Sequence, residues 1–317
     1  MTTAAGTALP AELVIGGHSK GVHEARVVGF MPRILVLTTL PHSRPESHCF
    51  ERTNGRYSLR LEARRSIGLP YGLYPRLILI YLTTQAVCTK SPEIDLGRTP
   101  NDLARKLGLA PISGPRGTSR RLHDQLHRLV STRFRWQYSK DFRTQESGCC
   151  LITSSDLTFW RLTQSLLQTR PKWGSKITLS RDFFQEITHS AVPVDLRAIE
   201  LLKSSPLAID IYIWLTYRMS YLRRPCTIPW NALENQFGAT YARCRDFRRS
   251  FCTHLHEVVA VYTAVRLRQT DTGLLLYPSP PHVQARAETK VRGSLRQLAP
   301  FGNGGMLPDT SEKTAIL

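Results

Sequence analysis

Acidic residues are scarce in this chain. Its 317 residues set 24 aspartates and glutamates against 43 lysines and arginines, a formal net charge of +19. The carboxylates are also scattered, which disfavours a two-metal nuclease, whose ions need several of them converging. Seven cysteines are present, at 49, 88, 149, 150, 226, 244 and 252, but no Cys-x-x-Cys pair. That excludes a zinc ribbon and a thioredoxin-type motif, and the spread suits a reducing cytoplasm. No run of about 18 apolar residues occurs, which argues against a membrane span. The first residues lack the basic-then-apolar order of a signal peptide. There is no Gly-x-x-x-x-Gly-Lys-Ser/Thr loop, so ATPase or helicase activity is not expected. There is no Gly-x-Ser-x-Gly elbow either. No pattern asks for a metal or any other cofactor, and the chain is not expected to be an enzyme.

The positive charge excess favours a polyanionic partner, and nucleic acid comes before membrane because no lipid-binding feature accompanies it. Distribution sharpens this. From Arg56 to Arg143 there are 17 Lys/Arg against 6 Asp/Glu, and arginine outnumbers lysine. The planar guanidinium fork matches phosphate and guanine, so the bias points to DNA rather than to generic solubility. Hydrophobic residues make up 41%, enough for real cores, and the length suits two domains plus tails.

One pattern occurs twice. The first copy runs through an apolar helix at Tyr74–Val87, a short helix at Pro100–Gly108 and an arginine-studded helix at Thr118–Val130. The second runs through Pro206–Tyr217, Pro229–Gly238 and Tyr241–Phe251. Each basic helix leads into strands. Helix, helix, basic helix and hairpin is the order of a winged helix-turn-helix. The expected fold is therefore α+β, with tandem winged-helix domains and small antiparallel sheets. The division read from the sequence is a flexible arm at 1–29, a first domain at 30–160, a second at 175–283 and a flexible tail at 284–317.

Finer expectations follow from local signals. Arg33–Leu40, an apolar, β-branched run between Pro32 and Pro41, predicts a strand. Arg56–Ala63 alternates and predicts a partner strand, with Asn54-Gly55 as a turn. Leu77, Ile78, Tyr81 and Leu82 give the first long helix an apolar face. Thr99 caps the next, with Pro100 at its first position and Gly108 beyond its end. Thr118 or Ser119 is expected to cap the third, whose inward stripe is Leu122, Leu126, Leu129 and Val130. Phe134–Tyr138 alternates as a strand, with Ser139–Gly148 as the wing tip. A strand at Lys176–Ser180 opens the second module. Its last helix carries Tyr241, Cys244, Phe247, Phe251, Leu255 and Val258 inward, and Val261–Arg268 and Leu274–Tyr277 form a second hairpin. Trp136, Trp160, Trp173, Trp214 and Trp230 read as core rather than as stacking platforms.

The candidate DNA-binding residues lie on the outer faces of the basic helices. In the first module these are Arg120, Arg121, Gln125 and Arg128, with Arg116, Thr118 and Ser119 at the helix start, where free backbone N–H groups favour phosphate. In the second they are Arg243, Arg245, Arg248 and Arg249. Arginine pairs bidentately with guanine and glutamine with adenine. Strand residues Arg135 and Lys140 are candidates for phosphate, although charges on a strand edge also serve against aggregation. His254-Leu255-His256 matches the His-hydrophobic-His pattern of metal-dependent nicking enzymes. That pattern needs a strand to bring both rings to one side; here it continues a helical stripe, where the rings diverge by about 200°.

Eight ordered blocks carry a resemblance: Thr39–His42, Asn54–Arg56, Gly68–Leu77, Leu82–Thr84, Gly117–Leu122, Asp210–Arg218, Ile228–Trp230 and Leu274–His282. Together they span about residues 30–283, and they resemble plasmid replication initiators of the RepA type. The resemblance implies a bacterial cytoplasmic protein that binds repeated double-stranded sequences at a plasmid origin. It implies opening of a nearby A·T-rich region and recruitment of host replication proteins, a helicase or an initiator. It also implies repression of the initiator's own gene, often as a homodimer on an inverted repeat. Arg120 and Arg121 lie inside a matching block. Two alternatives stay open: a winged-helix transcriptional repressor with no initiating role, and a rolling-circle nicking enzyme.

Overall fold

The computed structural model describes residues 28–112, 114, 117–140, 143–156, 175–238 and 241–283. The expected arm and tail lie outside these, apart from Val28 and Gly29, as do Trp160 and Trp173. Strand β1 (Val28–Met31) leads through Pro32 into a short helix, α1 (Arg33–Thr38). A strand is predicted there, and the structure corrects it. Ile34 to Thr38 are all buried, and a short run that is apolar throughout has no period to separate strand from helix. The hairpin of β2 (Cys49–Asn54) and β3 (Tyr57–Glu62) follows, turning at Gly55 with φ +56°, the left-handed backbone that an Asn-Gly turn requires.

Helix α2 (Leu73–Thr89) is buried on every side from Pro75 to Thr84 rather than along one face. Four elements enclose it: β1, β4 (Glu93–Gly97), α4 (Thr118–Ser131) and α5 (Arg181–Ser190). Between β4 and α4 lies α3 (Pro100–Lys106). Thr99 caps it as expected, in a reciprocal box: its hydroxyl accepts from Asp102 N at 3.1 Å and the Asp102 carboxylate accepts from Thr99 N at 2.9 Å. Helix α4 is preceded by Gly117, with no side-chain cap, so neither Thr118 nor Ser119 caps it. The chain continues as β5 (Arg133–Lys140), β6 (Arg143–Cys150), β7 (Ile152–Asp156) and β8 (Ser175–Leu179). Then come α5, capped by Ser180, β9 (Val192–Asp195) and α6 (Leu196–Leu202).

The second long helix, α7 (Pro206–Tyr221), is capped by Ser205 with Pro206 at its first position and is buried along most of its length. After it come β10 (Cys226–Pro229), α8 (Trp230–Phe237), α9 (Cys244–Val261), β11 (Arg266–Gln269) and β12 (Gly273–Tyr277). The result is an α+β fold with small antiparallel sheets.

Two three-stranded sheets share one arrangement. After α7 the order is β10-β12-β11; after α2 it is β4-β8-β7. In each, the strand following the long apolar helix pairs with the last strand of the set, and the middle strand in sequence lies outside. The hairpin after α4 differs from expectation. Strands β5 and β6 extend the β2-β3 hairpin into a separate sheet of order β2-β3-β5-β6, because Tyr57–Glu62 pairs in full register with Arg133–Tyr138. The predicted wing tip therefore belongs to that sheet. Strand β8, expected to open the second module, pairs with β4 and β7, while β1 pairs with β9.

Buried side chains of all these layers form one continuous core, and a polar cluster sits within it. Arg76 of α2 and Asp210 of α7 form a bidentate ion pair at 2.9 and 2.6 Å. The guanidinium also donates to the carbonyls of Leu40, Pro41 and Gly72, so all five of its N–H groups are used. His42 adds Nε2 to Asp210 at 2.8 Å.

Candidate nucleic-acid interface

Helix α4 buries Leu122, Leu126 and Leu129, with Val130 packed partly against the core. The opposite side carries Arg120 and Arg121, both exposed, and neither has a carboxylate within ion-pair distance among the described residues. The one acid of the helix, Asp124, is taken up by Arg128. His127 is exposed beside them and His123 half-buried, with their rings stacked at 6.1 Å. Burial lowers the His123 pKa, and the neighbouring His127 lowers it further, so His123 adds little charge near neutral pH.

The other candidates on α4 are held inward. Gln125 is buried; its side-chain oxygen accepts from Tyr71 N at 2.9 Å and its amide donates to Asp124. Its angle, i+3 from Leu122 and i−4 from Leu129, puts it on the flank of the apolar stripe, and the segment at Leu69–Tyr71 covers it. Thr118 is buried, its hydroxyl donating to Ala110 O at 2.7 Å. Ser119 donates to Asn101 Oδ1 at 3.1 Å, tying α4 to α3. Arg128 is mostly covered, donating to Asp124 at 2.8 Å with its guanidinium over the Tyr71 ring. Arg135 is exposed on β5, 4.0 Å from Glu62, and belongs to the four-stranded sheet. Lys140 ends β5, but its side chain, like all of Arg116, lies outside the described residues.

On α9 the inward stripe is Phe247, Phe251, Leu255 and Val258. Cys244, expected inward, is exposed at the first position of the helix. Arg243, Arg245 and Arg249 are exposed, again without a carboxylate partner among the described residues. Arg248 is engaged locally: it stacks on Trp230 at 4.7 Å and donates to Thr270 O at 3.3 Å. Trp214 and Trp230 are core residues. Among the candidates on these two helices, the structure thus separates Arg120, Arg121, Arg243, Arg245 and Arg249, exposed without an ion pair among the described residues, from Arg128 and Arg248, which are held locally.

His254 and His256 lie within α9. His254 hydrogen-bonds Ser205 Oγ and Glu257 Oε2 at 3.3 and 3.2 Å, while His256 is exposed. They share no face, as helical spacing requires. Among the described residues no three metal-ligating side chains gather, and no helix is long and apolar enough to cross a membrane.

Periodicity missed two residues beside α4, Arg44 and Arg65. They lie on loops distant in sequence and line a shallow cleft with Arg128. Only the folding of the chain brings them there.

Two solved structures are similar in outline. A crystal structure of RctB domains 2-3 superposes with a TM-score of 0.47 at 12% identity, covering 77% of this chain and 95% of that one. A selenomethionine derivative of RctB domains 2 and 3 gives 0.49 at 13%, covering 79% and 97%. No curated protein matches the chain significantly. The family model described as plasmid-encoded RepA protein matches residues 69–231, just over half of the chain, from the loop before α2 to the start of α8. On that match the chain belongs to the family of plasmid-encoded RepA proteins, the replication initiators that its sequence blocks resemble.

Proposed function

We propose that this initiator reads repeated double-stranded sequences at its plasmid origin with α4 and α9, carried on tandem winged-helix modules. The modules correspond to the expected divisions at about 30–160 and 175–283, flanked by the arm and the tail, with β8 completing the first module's sheet. One observation carries the reading. Arg120 and Arg121 on α4, Arg243 immediately before α9, and Arg245 and Arg249 on it, are exposed without carboxylate partners among the described residues, and both helices sit in the same order of long helix, strand, short helix, basic helix and sheet. The two helices enter successive major grooves on one face of the duplex, about 10 base pairs apart. Phosphate contacts make binding steeply salt-dependent. Opening of A·T-rich DNA then comes from bending strain and protein assembly rather than from catalysis. Host replication proteins join at the opened site in the bacterial cytoplasm, and a homodimer on an inverted repeat represses the initiator's own gene.

The test is duplex binding by an Arg120→Gln, Arg121→Gln double variant. Affinity for the origin repeat is expected to fall at least about tenfold, on the scale of one good base contact, with a smaller loss on a shuffled duplex. Unchanged origin affinity in a folded variant refutes the role of α4. A plasmid carrying this gene as its sole replication function separates initiator from repressor, since only an initiator maintains it.

A further inference from the structure

A cleft opens on the flank of α4, between the loop after α1 and the turn after β3. Arg44 and Arg65 stand on its two lips, and Arg128 forms its wall. Both lip arginines are exposed and have no carboxylate partner among the described residues. Arg128 is preset: Asp124 fixes its Nε, and the Tyr71 ring lies 5.5 Å from its guanidinium. The cleft also depends on a glycine. Gly68 adopts φ +79°, and a Cβ there would collide with Arg128 Nη1. Ser47 and Ser66 add hydroxyl donors, and Glu46 is the one acid lining the cleft.

Two exposed arginines and a third fixed beside them, lining one cleft with hydroxyl donors, match the chemistry of a phosphate site. No Phe, Tyr or Trp lines the cleft, and His48 supplies its one aromatic ring, a small platform for stacking, which disfavours a free nucleotide or a single strand. Its position favours duplex backbone. Arg128 lies seven residues beyond Arg121, in the same row of α4 and roughly 10 Å further along its axis.

We propose that this cleft clamps a backbone phosphate of the duplex that α4 reads, fixing the register of the helix without reading sequence. The proposal rests on the reading of α4 as a DNA-contacting helix. An Arg44→Ala, Arg65→Ala double variant of the full chain tests it, titrated with an origin duplex and a shuffled duplex over a salt series. The slope of log affinity against log salt is expected to become shallower by about 0.9, the value of one lost phosphate contact. Affinity should fall by the same factor on both duplexes, and an Arg44→Lys, Arg65→Lys variant should recover most of the slope. An unchanged slope overturns the clamp, and so does a loss confined to the origin duplex. A parent protein with no origin preference refutes sequence reading by α4 and α9, while its slope on the shuffled duplex still judges the cleft. A parent that binds neither duplex refutes both.

Discussion

At the residue scale, arginine serves two opposed purposes in this protein. Arg120, Arg121, Arg243, Arg245 and Arg249 are exposed. Arg76, fully buried, has every N–H hydrogen-bonded around Asp210. Arg52, also buried, donates to Asn235 O and leaves Nε and Nη2 without a protein partner. Burial pulls its pKa down to about 10, against the pull of Asp210. Removing one member of a buried pair strands the other charge, so Asp210→Asn is expected to cost roughly 3–5 kcal/mol in urea denaturation. Replacing Arg76 and Asp210 together by apolar residues of similar volume should cost much less. A double-variant cost equal to the sum of the two singles would show that they do not act as a pair.

At the element scale, local chemistry was read best where it is self-contained. The cap of α3 by Thr99, with Pro100 at the first position, is legible from the residues alone, and the structure adds the return bond from Asp102 within the same turn. Thr99→Ala should cost about 1 kcal/mol, visible as a lowered urea midpoint with an unchanged slope. Helix α1 was not legible, because six residues with five buried in a row fit a buried strand equally well. On α4 the helical angle alone places Arg128 outward and Gln125 at the edge of the apolar stripe. The segment at Leu69–Tyr71, some 55 residues earlier, decides that they are covered.

At the scale of the whole molecule, the two long helices are joined by charge. Asp210 of α7 meets Arg76 of α2 and His42 of the loop between α1 and β2. Burial disfavours the His42 imidazolium; the bond to Asp210 opposes this, Arg76 reinforces it, and the net pKa lies below the ordinary 6.5. The unfolded chain then takes up a proton at about pH 6.5 that the folded chain still refuses. Stability contributed by neutral His42 is complete above that pH and declines as pH falls through the folded value. For Asp210, burial alone would raise the pKa, but Arg76 and His42 hold it below 3.8, so its contribution is lost only in stronger acid. Thermal stability is therefore expected to fall from pH 6.5 downward more steeply in the parent than in His42→Asn. Equal slopes would remove His42 from the account.

The sequence by itself determined the α+β class, the two long apolar helices, the basic helices after them and the family. Each of these rests on short-range periodicity, composition or contiguous blocks of residues. Only the tertiary structure decided which strands share a sheet, which arginines remain free, and that loops at Arg44 and Arg65 meet the side of α4. Strand pairing and side-chain cover join residues tens of positions apart, and no local period records that distance. The clearest case is the hairpin after α4. Its alternation announced strands correctly, but the choice of β3 as partner came from the register of Tyr57–Glu62 against Arg133–Tyr138, a match that exists only once the chain has folded.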